Sequence, residues 1–186
     1  DGPEPLWEPR LFNTASTSYD AFLHFGPTPD GLTRPYLYEA IMAKRATLVA
    51  QRLLDEQRPM RILDLGAGQR LALVELAARI ASVEQPKRFD RLRNRAEELT
   101  VNDPDVQELV NDLARRYRFV GVDLVDRPVS DKDLVSSLGR VLYRAFHQSG
   151  LIQFVQASAE HLPAEWSEPT QQFHEVVSVT GYRWVL

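Results

Sequence analysis

Cysteine is absent from the 186-residue chain, which excludes disulfide bridges, cysteine-ligated zinc, iron–sulfur clusters and thiol nucleophiles together. The four histidines are scattered with no pair at i, i+4, and this spacing argues against a histidine metal site. No run approaches the roughly 18 apolar residues of a membrane span, and no charged-then-apolar stretch opens the chain as in a signal peptide. We therefore expect a cytoplasmic protein with no membrane span and no bound metal.

A strong charge of either sign is also missing. Lys and Arg total 22 against 26 Asp and Glu, so the net charge is −4 and no global field draws the chain to nucleic acid. Hydrophobic residues at 44% and charged residues at 26% are ordinary globular values, which excludes a wholly disordered or fibrous chain. A length of 186 residues is typical of one domain with a core of its own.

Proline divides the chain into two unequal parts. Residues 1–35 contain six prolines among five large aromatic side chains, and disordered leaders are usually poor in aromatics. We therefore expect an ordered N-terminal arm that packs on the domain. Residues 36–186 are expected to form one α/β domain that begins with a helix over 36–57. Because the chain stops inside an apolar run, this domain is expected to continue beyond residue 186.

Short apolar runs alternate with helical patterns along the rest of the chain. The expected strands are Met60–Leu65, Tyr117–Val125, Leu151–Val155 and Val176–Val179. Helical spacing follows the first strand as far as Ser82, and a capping-box pattern at 130–133 predicts a helix before the third strand. Residues 83–116 predict a helical insertion, in which Asp103 is an N-cap and Pro104 the first helical residue. This order predicts an open, mostly parallel sheet with right-handed crossovers.

The first half of the insertion is basic from Lys87 to Arg95. Arginine supplies nearly all the positive charge of the chain, which has only three lysines. A solvated helix face is the favoured interpretation of this basic run, and a patch that contacts phosphate is the alternative.

The turn Gly66–Gly68 directly follows the first strand and precedes a helix. In an open parallel sheet, ligands bind beyond the carboxyl ends of the strands where strand order reverses, and glycine lets the backbone approach a ligand closely. Free N–H groups at the start of the helix favour a phosphate or carboxylate. A P-loop is excluded because no G-K-[ST] follows, and a dinucleotide fingerprint would need a small residue at Leu71. An ordinary strand–helix turn without a ligand is the alternative.

Four segments resemble, in order, the signatures of class I S-adenosylmethionine-dependent methyltransferases. Ile62–Gly68 is similar to the first signature, hydrophobic-(D/E)-x-G-x-G-x-G, and Val120–Leu124 is similar to the second strand with its terminal acid. Gln156–Pro163 is similar to the third signature, G-D-A-x-x-L-P, and Phe173–Val179 is similar to the fourth, F-D-x-V-x-S. The resemblance implies a Rossmann-like sheet of seven strands, apparently truncated here after the fourth, with a helical insertion between the first helix and the second strand. A partner or further chain is expected to complete the sheet edge beyond Val179.

The resemblance also implies a cofactor, S-adenosyl-L-methionine, and a methyltransferase activity. Asp64 would order the glycine loop, Asp123 would accept hydrogen bonds from both ribose hydroxyls, and Ser158 would stand at the adenine-reading position. The implied cofactor-binding residues are Asp64, Gly66, Ala67, Gly68, Asp123, Leu124, Ser158, Ala159, Glu160 and Ser178. No catalytic residue is predicted, because the donor is already activated and the protein mainly positions the reactants. The segment Thr180–Arg183 replaces the family's N/D-P-P-Y run, which favours a small-molecule acceptor over nucleic acid.

Three positions depart from the family pattern. Arg70 stands where the third turn glycine is usual, Ser158 replaces the adenine-reading aspartate, and His174 replaces the acid that opens the fourth strand. These departures leave a second hypothesis open, a degenerate and non-catalytic methyltransferase-like structural or interaction domain. A nicotinamide-dependent oxidoreductase is a third. At single positions, Asp123 is alternatively a strand-end carboxylate in water, and Ser158 and Glu160 alternatively start a turn.

Overall fold

The computed structural model of the chain describes residues 45–52, 59–68, 70–126, 128, 137–169 and 171–177. The expected N-terminal arm and the residues from Ser178 onward lie outside these ranges, so the predictions made for them stay predictions. In chain order the elements are the helical residues 45–52 (α1), β1 (Met60–Leu65), α2 (Leu71–Glu84), α3 (Pro86–Asn94), α4 (Pro104–Arg116), β2 (Tyr117–Asp123), α5 (Ser137–Gln148), β3 (Ile152–Gln156), a short 3-10 helix (Ala164–Ser167) and β4 (Glu175–Val177).

The four strands form one parallel sheet in the spatial order β3-β2-β1-β4. β1 pairs with β2 along its whole length, and on its other side it pairs with β4 through Ile62, Leu63 and Asp64. The chain therefore runs outward from β1 to β3 and then returns across β1 to form β4. The strand order reverses between β1 and β4, as in Rossmann-like folds. The expectation of an α/β fold with a parallel sheet is confirmed.

The element boundaries differ from the expected ones by one or two residues. β2 ends at Asp123 instead of Val125, because Leu124 and Val125 form a bend and are 64% and 49% exposed. β3 begins and ends one residue later than expected, and β4 begins one residue earlier, at Glu175. α2 continues to Glu84, two residues past the expected end. The apolar composition alone could not mark these ends, since exposed apolar residues follow β2 directly.

The main hydrophobic core lies between one face of the sheet and the helices. Met60, Ile62 and Phe119 alternate along their strands and point into this core together with residues from all five helices. α2 lies at its centre, against β2 and between α3, α4 and α5, and every residue from Leu71 to Ala81 is buried. A helix enclosed on all sides is expected to be apolar all round, as this one largely is.

The opposite face of the sheet has a smaller cluster. Leu63, Val120 and Val122 pack there with the aromatic rings of Trp166 and Phe173, which meet edge-to-face with centroids 4.9 Å apart. Both rings belong to the connection between β3 and β4, which therefore crosses this face of the sheet before entering β4.

The helical insertion consists of α3 and α4. The carboxylate of Asp103 accepts a hydrogen bond from the N–H of Asp105 at 3.0 Å, and Pro104 is the first residue of α4. Both sequence predictions for this helix start are therefore confirmed, and they fit the preference for Asp at the N-cap and Pro at the first position. No helix within the described ranges has the length and apolar content that a membrane crossing would require.

Candidate functional site

The glycine turn closes onto the carboxyl end of β2. The backbone N–H groups of Gly66 and Ala67 both donate to the carbonyl oxygen of Val122, at 2.9 and 3.0 Å. Gly66 has φ 73° and Gly68 has φ 50°, values in the left-handed region that glycine adopts without steric cost. The two glycines therefore let the chain leave β1, fold back over its neighbour and enter α2 within a few residues.

Gly121, inside β2, provides the space into which this turn fits. A Cβ atom at this position would lie 2.8 Å from the Cβ of Ala67 and 3.1 Å from the Cγ of Arg70. Any side chain at position 121 would therefore push the turn away from the strand. Sequence reasoning gave Gly121 no role, although glycine inside a strand is a known signal for the close approach of another backbone.

Asp123 ties the turn to the end of β2. Its Oδ2 accepts a hydrogen bond from the N–H of Gly68 at 2.9 Å, and its Oδ1 accepts one from the N–H of Leu124 at 2.7 Å. The side chain is only partly buried. The expected position at the mouth of the turn is thus observed, and the carboxylate has a structural function there that the sequence did not reveal.

Asp64 lies beneath the turn, inside the protein. It is 2% exposed, and it stands in register with Gly121 on one side and Val177 on the other. The carboxylate therefore lies inside the sheet near the end of β1, and its expected role of ordering the glycine loop stays a prediction.

The end of β3 lies beside the end of β2. The N–H of Ala157 donates to the carbonyl of Asp123 at 3.1 Å, and the side-chain amide of Gln156 donates to the carbonyl of Leu124 at 2.9 Å. Ser158 then opens a turn, because its Oγ accepts from the N–H of Glu160 at 3.2 Å. The alternative interpretation of Ser158 and Glu160 as the start of a turn is therefore confirmed. Glu160 and Ala159 are exposed at the same edge of the sheet.

Arg70 adopts the backbone conformation of a glycine. Its φ of 61° and ψ of 17° are left-handed, it occupies the N-cap position of α2, and its N–H donates to the carbonyl of Ala67 at 2.7 Å. The position of the usual third turn glycine therefore keeps a left-handed conformation although the side chain is large. That side chain is 4% exposed and passes Gly121 toward β3.

The basic run of the insertion is paired with acidic side chains of α4. Arg88 contacts Glu108 at 2.6 Å and Asp112 at 2.8 Å, and Arg91 contacts Asp105 at 2.9 Å. The hydrogen bond from Arg91 lowers the pKa of Asp105, and the same bond raises the pKa of Arg91. An open groove of about 730 Å³ beside these helices is lined by charges of both signs. These pairs support the solvated-face interpretation over a phosphate patch.

The structure therefore brings most of the expected site residues to one edge of the sheet. Gly66–Gly68, Asp123, Leu124 and the turn at 158–160 all lie at the carboxyl ends of β1, β2 and β3, with Asp64 beneath them. Ser178 lies outside the described residues. Within those residues, no group of three or more His, Asp or Glu side chains is placed to hold a metal ion.

Compared with known proteins, the chain matches no family model, no curated protein sequence and no solved structure.

Proposed function

We propose that this chain is an S-adenosylmethionine-dependent methyltransferase domain, with a small molecule as the favoured acceptor. The observation that carries the proposal is the position of the glycine turn. It lies where the strand order reverses, its glycines and Arg70 have left-handed backbones, and Asp123 of the neighbouring strand is bonded to it. Ligands of open α/β sheets bind at this point of the fold.

The chemistry of the residues around the turn fits a ligand that is an amino acid at one end and a nucleoside at the other. The N–H groups of the turn are already bonded within the protein, but the first N–H groups of α2, from Leu71 onward, have no side-chain cap. Their partial positive charge favours a carboxylate at the start of this helix. Asp123 would accept hydrogen bonds from the ribose hydroxyls. Each carboxylate oxygen has two acceptor sites, and each uses one for a backbone N–H, so both retain room for a hydroxyl. Leu124, 64% exposed, offers apolar surface to a base.

A bound S-adenosylmethionine would supply an activated methyl group that is displaced in line by the acceptor. The described residues would contribute by holding the two ends of the cofactor and orienting it at the sheet edge. No described side chain is assigned as a general base.

A non-catalytic domain with the same fold is the second candidate. The observation that favours it is that the polar groups of Asp123 and Ser158 already bond to backbone N–H groups at this edge of the sheet, so neither depends on a ligand for a partner. In this alternative the turn, Asp123 and Arg70 are a packing arrangement only, and S-adenosyl compounds do not bind.

Calorimetric titration of the chain with S-adenosylhomocysteine separates the two candidates. We expect binding that weakens at least about tenfold in Asp123→Asn, since bonds to a charged acceptor each contribute about 1.5–3 kcal/mol. The matched control is Asp103→Asn, which changes another carboxylate that caps a backbone N–H but lies in the insertion. Its affinity should equal that of the wild type. Absence of both heat and thermal shift at about millimolar ligand would refute the proposal, and binding of NADH instead would favour an oxidoreductase.

A further inference from the structure

Arg70 links several elements at the carboxyl edge of the sheet. Its aliphatic stem runs past Gly121 of β2, and its guanidinium lies over the ring of Phe154 in β3, 5.0 Å from the ring centroid. With only 4% of the residue exposed, this charge is almost fully removed from water. A buried guanidinium is stable only where partners satisfy its charge and its donors.

Two polar side chains hold the guanidinium in this position. Nη1 donates to Oδ1 of Asp126 at 2.5 Å, and Nε donates to Nε2 of His147, in the last turn of α5, at 3.0 Å. Asp126 ends the exposed segment Leu124–Asp126, which follows β2 and is called the rim segment here. Gln156 holds the carbonyl of its first residue. The rim segment is therefore attached to β3 at one end and to Arg70 at the other.

His147 can accept this hydrogen bond only while its ring is neutral. Nδ1 lies 2.7 Å from the carbonyl oxygen of Tyr143, so the proton of the neutral ring resides there and Nε2 keeps its lone pair. Burial lowers the pKa of His147 and the charge of Arg70 lowers it further, whereas the Tyr143 carbonyl and Asp126 oppose this shift. Three described elements pack against α5. β3 carries no charged side chain, the buried Arg79 of α2 is paired with Glu75 at 2.6 Å, and the acidic side chains of α4 pair with arginines of α3. Arg70, at the N-cap of α2, and Asp126 are the charges that shift the pKa of His147.

We propose that Arg70 is a positioning residue that clamps the rim segment at the candidate site, and that the clamp holds only while His147 is uncharged. When a proton from solvent binds Nε2, that nitrogen becomes a donor. The Nε of Arg70 then loses its acceptor and faces a second cation at the same distance. Arg70 is displaced from its position beside Gly121, and Asp126 is released to water.

The consequence for a ligand rests on the proposed function. The rim segment directly follows Asp123, so its release changes the surroundings of the carboxylate that would bind the ribose. Ligand affinity is therefore expected to decrease as His147 takes up its proton.

The ligand-free test is nuclear magnetic resonance of the full chain. The Arg70 Nε–H signal and the amide signals of the rim segment are recorded at about pH 7.5 and about pH 4.5. The lower value lies well below the usual histidine pKa of about 6.5, because burial lowers the pKa of His147. In the wild type we expect an Nε–H signal shifted away from that of a free arginine at the higher pH, because it is bonded to His147. At the lower pH we expect this signal to move to the free-arginine position and the rim amides to shift with it. His147→Gln keeps an acceptor in the place of Nε2 but does not titrate, so its spectra should be the same at both values.

His161→Gln is the matched control, because His161 is exposed on the turn at 158–161 of the same sheet edge. This variant should behave as the wild type does. A wild-type Nε–H signal that keeps its shifted position at the lower pH would overturn the proposal, as would its movement to the free-arginine position in folded His147→Gln.

A second arm separates the clamp from the proposed function. S-adenosylhomocysteine affinity is measured at both pH values in the wild type and in His147→Gln. We expect about tenfold weaker binding at the lower pH in the wild type only, the factor that corresponds to one pKa unit of linkage. If the Nε–H signal responds as expected but no ligand binds, the proposed function fails and the clamp stands. If ligand binds equally at both values, the proposed function stands and the link from clamp to site is refuted.

Discussion

Replacing Gly121 by alanine should destabilise the protein at the candidate site, against the usual preference of strands for alanine over glycine. The added Cβ would lie 2.8 Å from the Cβ of Ala67 and 3.1 Å from the Cγ of Arg70. The Ala67 Cβ is fixed to the backbone of the turn, and that backbone donates to the Val122 carbonyl. The methyl group can therefore be accommodated only if the whole turn moves away from β2.

The expected magnitude follows from two opposing effects. Alanine restricts the unfolded chain and is favoured over glycine inside a strand by roughly 0.5–1 kcal/mol. Forcing an extra methyl group into a packed site typically costs about 1–3 kcal/mol. Because neither close contact is with the flexible end of a side chain, we expect the second effect to dominate and the free energy of unfolding to fall by about 1–2 kcal/mol.

Urea denaturation of five variants tests the cause of this loss. Gly121→Ala is combined with Ala67→Gly, which removes the methyl group that the new Cβ would meet, and the double-mutant cycle should give a favourable coupling of about 1 kcal/mol. Gly150→Ala is the control for a glycine replacement without a steric clash, because Gly150 has no atom within 4 Å of an added Cβ and loses stability only through its positive φ of 73°. Its loss of stability should not be recovered by Ala67→Gly. An unchanged unfolding free energy in Gly121→Ala would refute the reasoning.

Three further predictions concern charged groups. Asp123→Ala should lower the unfolding free energy by about 1 kcal/mol, because the Gly68 N–H loses a charged acceptor at a partly exposed position; an unaltered urea midpoint would contradict this. Asp103→Ala should also cost about 1 kcal/mol by removing the N-cap of α4, while amide exchange at Gly68 stays as in the wild type. Since burial lowers the pKa of His147, the unfolded chain takes up its proton first. Stability should therefore be full above about pH 6.5 and decline as the pH falls through the folded-state value, and His147→Gln should abolish this part of the decline in thermal melts.

The sequence was sufficient to predict the four strands and the position of the glycine turn after β1. Apolar runs located all four strands to within two residues, because the parallel strands are enclosed by the layers around them. No local sequence pattern encodes which strand lies beside which, so the pairing of β4 with β1 is known only from the structure. Apolar side chains do not always mark the end of a strand. Leu124 and Val125 were expected to belong to β2, but they are exposed and follow its last residue.

The sequence predicted which residues belong to the candidate site, but not the hydrogen bonds and contacts that join them. Gly66, Gly68 and Asp123 could be singled out by their motifs, yet the bond from Gly68 to Asp123 joins residues 55 positions apart. The same limit applies to Gly121. The motif singled out Asp123 in the same strand, but it did not indicate that the missing side chain of Gly121 makes room for the turn. Such contacts depend on the register of β1 against β2, which the sequence does not state.

The position of the Arg70 side chain could not be predicted from the sequence. A large cation in place of a turn glycine suggests an obstruction of the ligand site, or else a side chain turned out to solvent. The structure excludes the second alternative, because the absence of a side chain at Gly121 gives the arginine stem a buried path toward β3, where His147 and Asp126 supply an acceptor and a counter-charge. Those two partners lie 77 and 56 residues away along the chain. A left-handed arginine costs about 1–2 kcal/mol in backbone strain, so its retention requires that these partners stabilise it by at least as much. Strain held at one residue by distant partners is the expected mark of a position that does more than complete a turn.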